Sequence, residues 1–237
     1  MSLRTGTGAH APMAFHGVEI IARGITARGG RGCAFAGVSV DVAAGQLGVV
    51  AGPSGSGRTS LLLALAGRMR LVAGSVAVGG YRLPGDGARV RELVAVARAE
   101  PAVGLDDELR VGDIVTERTM IGGPRIGRAA IRDALTMLDV DAPTTAAVAE
   151  LPPRERTLLA VALAAAEQPA AIAVDDVERG CGETDAERLW EALRMLTGLG
   201  CTVIATTTIP PPSLDDSVAV VDLPHPTERD QIPLPEE

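Results

Sequence analysis

Val49-Val50-Ala51-Gly52-Pro53-Ser54-Gly55-Ser56-Gly57-Arg58-Thr59-Ser60 runs directly into Leu61-Leu62-Leu63-Ala64-Leu65. The apolar residues before Gly52 predict a buried strand, the glycines a tight turn, and the leucines a helix. At such a junction the free N–H groups of the helix start and the aligned peptide dipoles attract an anion, and glycines let the backbone wrap around phosphate oxygens. The pattern G-x-x-x-x-G-K-[ST] is met everywhere except at Arg58, which stands where lysine is expected. Arg58 keeps the positive charge, but a planar guanidinium fork is a poor replacement for a compact ammonium at a fitted site.

Upstream of this loop, Val18 to Ile21 and Gly37 to Val42 are rich in β-branched residues and flank the turn-forming Gly29-Gly30-Arg31-Gly32. They predict an antiparallel pair. Downstream, residues 73–81 and 93–97 predict two further strands. Residues 98–168 change character: Ala130, Ile131, Ala134, Leu135 and Leu138 recur at helical spacing, and 157–167 is an almost wholly apolar helix. This reads as a helical lobe inserted between strands.

A second chemical element follows. Ala170-Ala171-Ile172-Ala173-Val174 is an apolar strand that ends in Asp175-Asp176. A loop hydroxyl such as that of Thr59 and a carboxylate at the end of a distant strand together form a Mg²⁺-nucleotide site. Thr184-Asp185-Ala186-Glu187 has the form of a capping box and predicts the next helix start. Residues 202–206 and 217–222 predict two more strands, so strands alternate with helices and a parallel sheet is expected. The first 12 residues and the proline-rich acidic tail, 223–237, read as irregular.

Composition narrows the function. The chain has 237 residues, 46% hydrophobic and 22% charged, which suits a globular fold with a full core. Its net charge of −8 and lack of a basic stripe argue against a nucleic-acid partner. The longest apolar run, 158–166, is too short to span a bilayer, and no signal-peptide pattern opens the chain, so a cytoplasmic location is expected. Cys33, Cys181 and Cys201 lack metal-ligand spacing and read as unpaired thiols. All 22 cationic side chains are arginine, with no lysine and no asparagine anywhere. A G+C-rich coding sequence would account for both absences, so Arg58 has a compositional origin beside a functional one.

Taken together, the loop, Asp175-Asp176 and the block from Glu150-Leu151-Pro152-Pro153-Arg154-Glu155-Arg156 through Gln168-Pro169 resemble the ATP-binding cassette (ABC) proteins, the nucleotide-binding subunits of ABC transporters. The resemblance spans about residues 17 to 222. It implies a P-loop NTPase α/β fold: a mainly parallel sheet flanked by helices, an N-terminal antiparallel β subdomain and an inserted helical subdomain at about 98–168. Residues 1–222 would form a single ATP-binding domain. The ligands implied are ATP and Mg²⁺; the partners are an integral-membrane permease and a second cassette, itself or another ABC subunit, at the inner face of the membrane.

Carried over residue by residue, Gly52, Pro53, Ser54, Gly55, Ser56, Gly57, Arg58, Thr59 and Ser60 correspond to the Walker A phosphate loop. Thr59 and Asp175 correspond to the Mg²⁺ ligands, and Asp176 replaces the glutamate that polarises the attacking water. Arg98 stands at the position of a glutamine that senses Mg²⁺ and water, Thr208 at that of a γ-phosphate histidine, and Gly182 near an aspartate of the D-loop. Residues 27–32 offer no aromatic for the adenine, leaving Phe35 as the nearest. Pro152 and Pro153 remove amide and hydroxyl donors from the signature loop, and Glu155 brings a negative charge there. The departures cluster where the γ phosphate and its water would lie, which predicts weak hydrolysis or a nucleotide-binding module without turnover.

Overall fold

Strand β3 (Leu47–Ala51) is buried at every position because it is paired on both sides. In the computed structural model, which describes residues 13–30, 32–122, 126–210 and 218–224, β3 lies between β8 (Thr202–Thr207) and β9 (Ala219–Asp222). The five-stranded sheet has the order β6-β7-β8-β3-β9, where β6 is Val94–Arg98 and β7 is Ala171–Val174. Every pairing in it is parallel. Strands covered on both faces read as continuous apolar runs, and β7 (AIAV) and β3 (LGVVA) do so. Helix α1 (Arg58–Leu65) follows β3, and α6 (Glu183–Gly198) connects β7 to β8.

A second, antiparallel sheet has the order β2-β1-β4-β5. β1 (Ile20–Gly29) and β2 (Gly32–Val42) form the expected hairpin, longer than the sequence signal, and β4 (Ala73–Val78) pairs with the other edge of β1. The expected strand over 73–81 divides at Gly79 and Gly80, both at positive φ, where the chain reverses into β5 (Tyr81–Leu83). The sheet's inner face packs with α1 around Ile20, Ile25, Leu61, Leu62 and Leu65.

The helical insertion comprises α3 (Val111–Ile121), α4 (Arg128–Met137) and α5 (Pro153–Ala165), while the short α2 (Gly87–Leu93) precedes β6. α5 contacts α4 on one side and β6 on the other, which explains why ten of its residues are buried and its apolar residues show no single face. A second core gathers Leu159, Leu163, Ile172, Trp190, Leu193 and Val203 around α5 and α6.

Three sequence expectations change. α6 begins at Glu183 with Gly182 as N-cap, so Thr184 lies inside the helix and caps nothing. Leu223 belongs to the fold, not the tail: it is buried and its N–H donates to Ala51 O at 2.8 Å. Phe35 is 1% exposed within the core and cannot serve as a base platform. Residues 1–12 and 225–237 lie outside the described residues. No helix among the described residues is long and apolar enough to cross a membrane.

Candidate functional site

The loop after β3 meets α1 at Gly57, whose left-handed backbone (φ 84°) and lack of a capping side chain leave the helix mouth open. A second left-handed glycine, Gly55 (φ 79°), turns the loop above it. The first amides of a helix have no acceptor within it, so this end presents donors to the cavity above. That cavity, about 750 Å³, lies within the range of nucleotide-sized pockets. Its floor is Ser54 to Ser60; Cys33 and Ala34 stand on one side, Asp176, Glu178 and Arg179 on the other, with Thr208 beside them.

Thr59 and Asp175, 116 positions apart in the chain, meet at this mouth: the Thr59 hydroxyl donates to Asp175 Oδ2 at 2.6 Å. Asp175 Oδ1 accepts from the Thr206 hydroxyl, also at 2.6 Å, and its N–H donates to Arg98 O. The residue is 4% exposed. Burial pushes its carboxyl above the ordinary range, opposed by the Thr206 and Thr59 hydroxyls; Asp176 adds to the rise and Arg58 counters it. A hydroxyl and a carboxylate are hard oxygen ligands of the kind Mg²⁺ takes together with phosphate oxygens. No cluster of three His, Cys, Asp or Glu residues able to hold a metal occurs among the described residues, so phosphate oxygens and water would complete such a site.

Arg58 does not project outward as a surface arginine. It is 7% exposed and folds across the loop, donating to Gly52 O and, in an ion pair, to Asp176 Oδ1. Asp176 is held for this contact in a left-handed turn (φ 44°), its N–H donating to the Thr206 hydroxyl at 2.8 Å. The cation of the phosphate loop and the carboxylate opposite it thus neutralise each other.

Other expected positions separate. Thr208 lines the cavity, whereas Arg98 is buried beneath it, donating to the Thr157 hydroxyl at 2.9 Å and pairing with Glu100 at 3.4 Å. Gly182 caps α6 through its backbone alone. Pro152 and Pro153 occupy the N-cap and first turn of α5, where a missing N–H costs nothing. Glu155 turns inward: at 3% exposure it accepts from Asp141 N–H at 2.7 Å and pairs with Arg154, so its charge is spent inside the fold. Five residues on the cavity wall escape a sequence reading, namely Cys33, Ala34, Glu178, Arg179 and Gly180. A hint of the Glu178 side of this wall is the run Thr206-Thr207-Thr208 at the end of β8, since Thr206 binds Asp175 and Thr207 binds Glu178.

The family model for ABC transporters matches residues 35–178, more than half of the chain, including the phosphate loop, Asp175, Asp176 and Glu178. The chain belongs to the ABC transporter family. It is 32% identical over 186 residues to the Fe(3+) ions import ATP-binding protein FbpC of Streptomyces coelicolor, covering 78% of this chain and 53% of that protein. It is 26% identical over 171 residues to the Nod factor export ATP-binding protein I of Burkholderia orbicola, covering 72% of this chain and 56% of that one. The ABC chain thus spans about half the length of these curated relatives. A dimeric structure of the bacterial ABC transporter cassette MJ0796 superposes with a TM-score of 0.69 over 86% of this chain and 94% of that chain, at 18% identity. That likeness establishes the fold: the ABC chain has the P-loop NTPase α/β architecture of a cassette.

Proposed function

We propose that this chain is an ATP-binding subunit that holds MgATP at the mouth of α1, pairs with a second cassette and acts on an integral-membrane permease from the cytoplasmic face, with weak hydrolysis. The single ATP-binding domain expected over residues 1–222, with its helical subdomain at about 98–168, then extends to Leu223. The observation that carries the reading is the Thr59–Asp175 contact, which joins two distant parts of one Mg-nucleotide site at a helix N-terminus. Family membership supports it, as do relatives whose names describe ATP-binding proteins of an importer and an exporter.

In this reading the residues from Gly52 to Ser60 surround the phosphates with backbone donors, and Thr59 and Asp175 hold Mg²⁺. When bound, the ion would draw charge from the β- and γ-phosphate oxygens. The phosphates and Asp176 compete for Arg58: while the guanidinium holds the carboxylate, Asp176 is not free to orient water. Asp176 is also one methylene shorter than glutamate. Misplacement of about 1 Å at a reacting centre costs roughly a hundredfold in rate. The signature prolines remove further donors.

The Arg58–Asp176 pair also favours a second reading, in which the chain is a regulatory nucleotide-binding module or the inactive half of a heterodimer. ATP affinity and turnover of the purified protein, with and without Mg²⁺ and against Asp175→Ala, separate the two. Mg²⁺-dependent binding with turnover above the control supports the first; binding without turnover supports the second; absence of binding refutes both. Restoring the side chains with Arg58→Lys and Asp176→Glu together is expected to raise turnover about tenfold or more. If the double variant binds ATP and still fails to hydrolyse it, the signature loop or the missing partner cassette, not the ion pair, sets the limit.

A further inference from the structure

With 30 acidic side chains against 22 arginines, the chain has carboxylates to spare for its cations. Three arginines nevertheless gather without one. Arg68, Arg70 and Arg91 line a cavity of about 500 Å³ at the C-terminal end of α1, where the following chain meets β5 and α2. Met69, Leu71, Leu83 and Pro84 give it an apolar side, and no carboxylate lines it. Among the described residues none of the three arginines forms an ion pair, whereas Arg23, Arg89, Arg118 and Arg154 each do. That these cations are arginine follows from a chain without lysine; that they sit together does not.

The cluster is opposed yet held in place. Burial and the charge of Arg91 push the Arg68 guanidinium below the usual arginine range, and Glu167, which counters them, is itself taken by Arg118 at 3.2 Å. Arg68 donates to Ala66 O at 3.3 Å and Arg91 to Gly67 O at 3.2 Å, so both are fixed on carbonyls at the end of α1. Gly87 leaves room for this, since a Cβ there would stand 3.1 Å from Arg91 Nη1. A helix C-terminus by itself repels anions, but guanidinium groups bonded to its carbonyls reverse that field and keep most of their N–H donors unused.

We propose that this cavity is a second anion site, separate from the phosphate loop, and that it takes a phosphate monoester. A carboxylate would offset one guanidinium and leave the others opposed. A phosphate monoester brings about two negative charges and several acceptor oxygens to the guanidinium forks, and the apolar side receives its alcohol part. The site does not depend on nucleotide binding at the other end of α1.

The same ester can be offered from two sources: glycerol 3-phosphate in solution, and phosphatidic acid in phosphatidylcholine vesicles, with pure phosphatidylcholine vesicles as the blank. Equilibrium binding is measured on the full chain, on Arg68→Gln with Arg91→Gln, and on Arg23→Gln with Arg89→Gln, which removes equal charge from exposed arginines outside the cavity. The cavity pair is expected to bind about tenfold or more weakly than the other two proteins. Binding of glycerol 3-phosphate that the cavity pair loses identifies a soluble ester; binding of phosphatidic acid vesicles alone, lost in the same way, identifies a lipid headgroup. Equal weakening by both pairs reduces the effect to diffuse charge and overturns the proposal, as does binding that the cavity pair leaves unchanged or the absence of any binding. Because Arg68 and Arg91 also bond the end of α1, Arg70→Gln provides a variant that breaks no hydrogen bond or ion pair among the described residues. It is expected to weaken binding about threefold or more, and an unchanged affinity overturns the assignment.

Discussion

Asp175 faces opposing demands: the position that suits it to hold a cation also removes it from water. The folded chain retains the Asp175 proton more strongly than the unfolded chain, because its carboxyl is raised, chiefly by burial. The cost of ionising it is therefore absent in acid, grows as pH rises from the ordinary carboxyl range to the raised value, and stays constant above that. Asp175→Asn is expected to raise the melting temperature of the nucleotide-free protein by a few degrees at neutral pH, and the gain should shrink on acidification. The same variant should lose the Mg²⁺ dependence of nucleotide affinity. Equal melting temperatures at pH 7 would contradict this account. Thr59 and Asp175 were legible in the sequence because each sits in a contiguous, chemically distinctive run. The pairing of Arg58 with Asp176 was not, because it depends on a left-handed turn at an aspartate and on a side chain folding back across its own loop. Cys201, pushed up to about 12 by burial, and the raised Cys181 are poor nucleophiles, in keeping with their reading as unpaired thiols.

Among the elements, α5 connects the inserted lobe to the parallel sheet, and Glu155 secures its first turn. That carboxylate joins α5 to the chain after α4 through Asp141 N–H, while Arg154 reaches on to Asp185 in α6 at 3.0 Å. Glu155→Ala removes the charged acceptor of this N–H and the partner of Arg154, and is expected to cost about 2 kcal/mol, measured by urea denaturation. A loss no larger than that of an exposed alanine substitution such as Glu117→Ala would show that the contact contributes little. The helices and their approximate extents follow from apolar spacing, but their ends respond to tertiary contacts. Thr184-Asp185-Ala186-Glu187 has the right letters for a cap, yet Arg154 holds Asp185 inside the first turn and the helix starts earlier, at Glu183. Likewise the strand predicted over 73–81 contains two glycines whose positive φ could only be assigned once β5 was seen to turn back on β4.

At the scale of the whole molecule, the two sheets meet where Val42 of β2 lies against Gly48 of β3. A Cβ at Gly48 would fall 2.5 Å from Val42 Cγ2, and a buried β-branched side chain has little room to rotate away. Gly48→Ala is expected to destabilise the protein by about 1–3 kcal/mol through this clash. Adding Val42→Ala should recover part of that loss; a strictly additive double variant would place the defect elsewhere. The layered architecture was readable from alternating strands and helices, whereas this contact between sheets had no signal beyond an unremarked glycine in a strand. The strand order carries one more consequence. β3 and β7, which bring Thr59 and Asp175 to the same mouth, are not neighbours: β8 lies between them and provides Thr206 to Asp175. As the chain leaves the ribosome, the phosphate loop and its acid emerge well before the strand that sets them side by side. The pocket therefore comes into existence only when synthesis has passed Thr207, and nucleotide cannot help an earlier nascent fragment to fold.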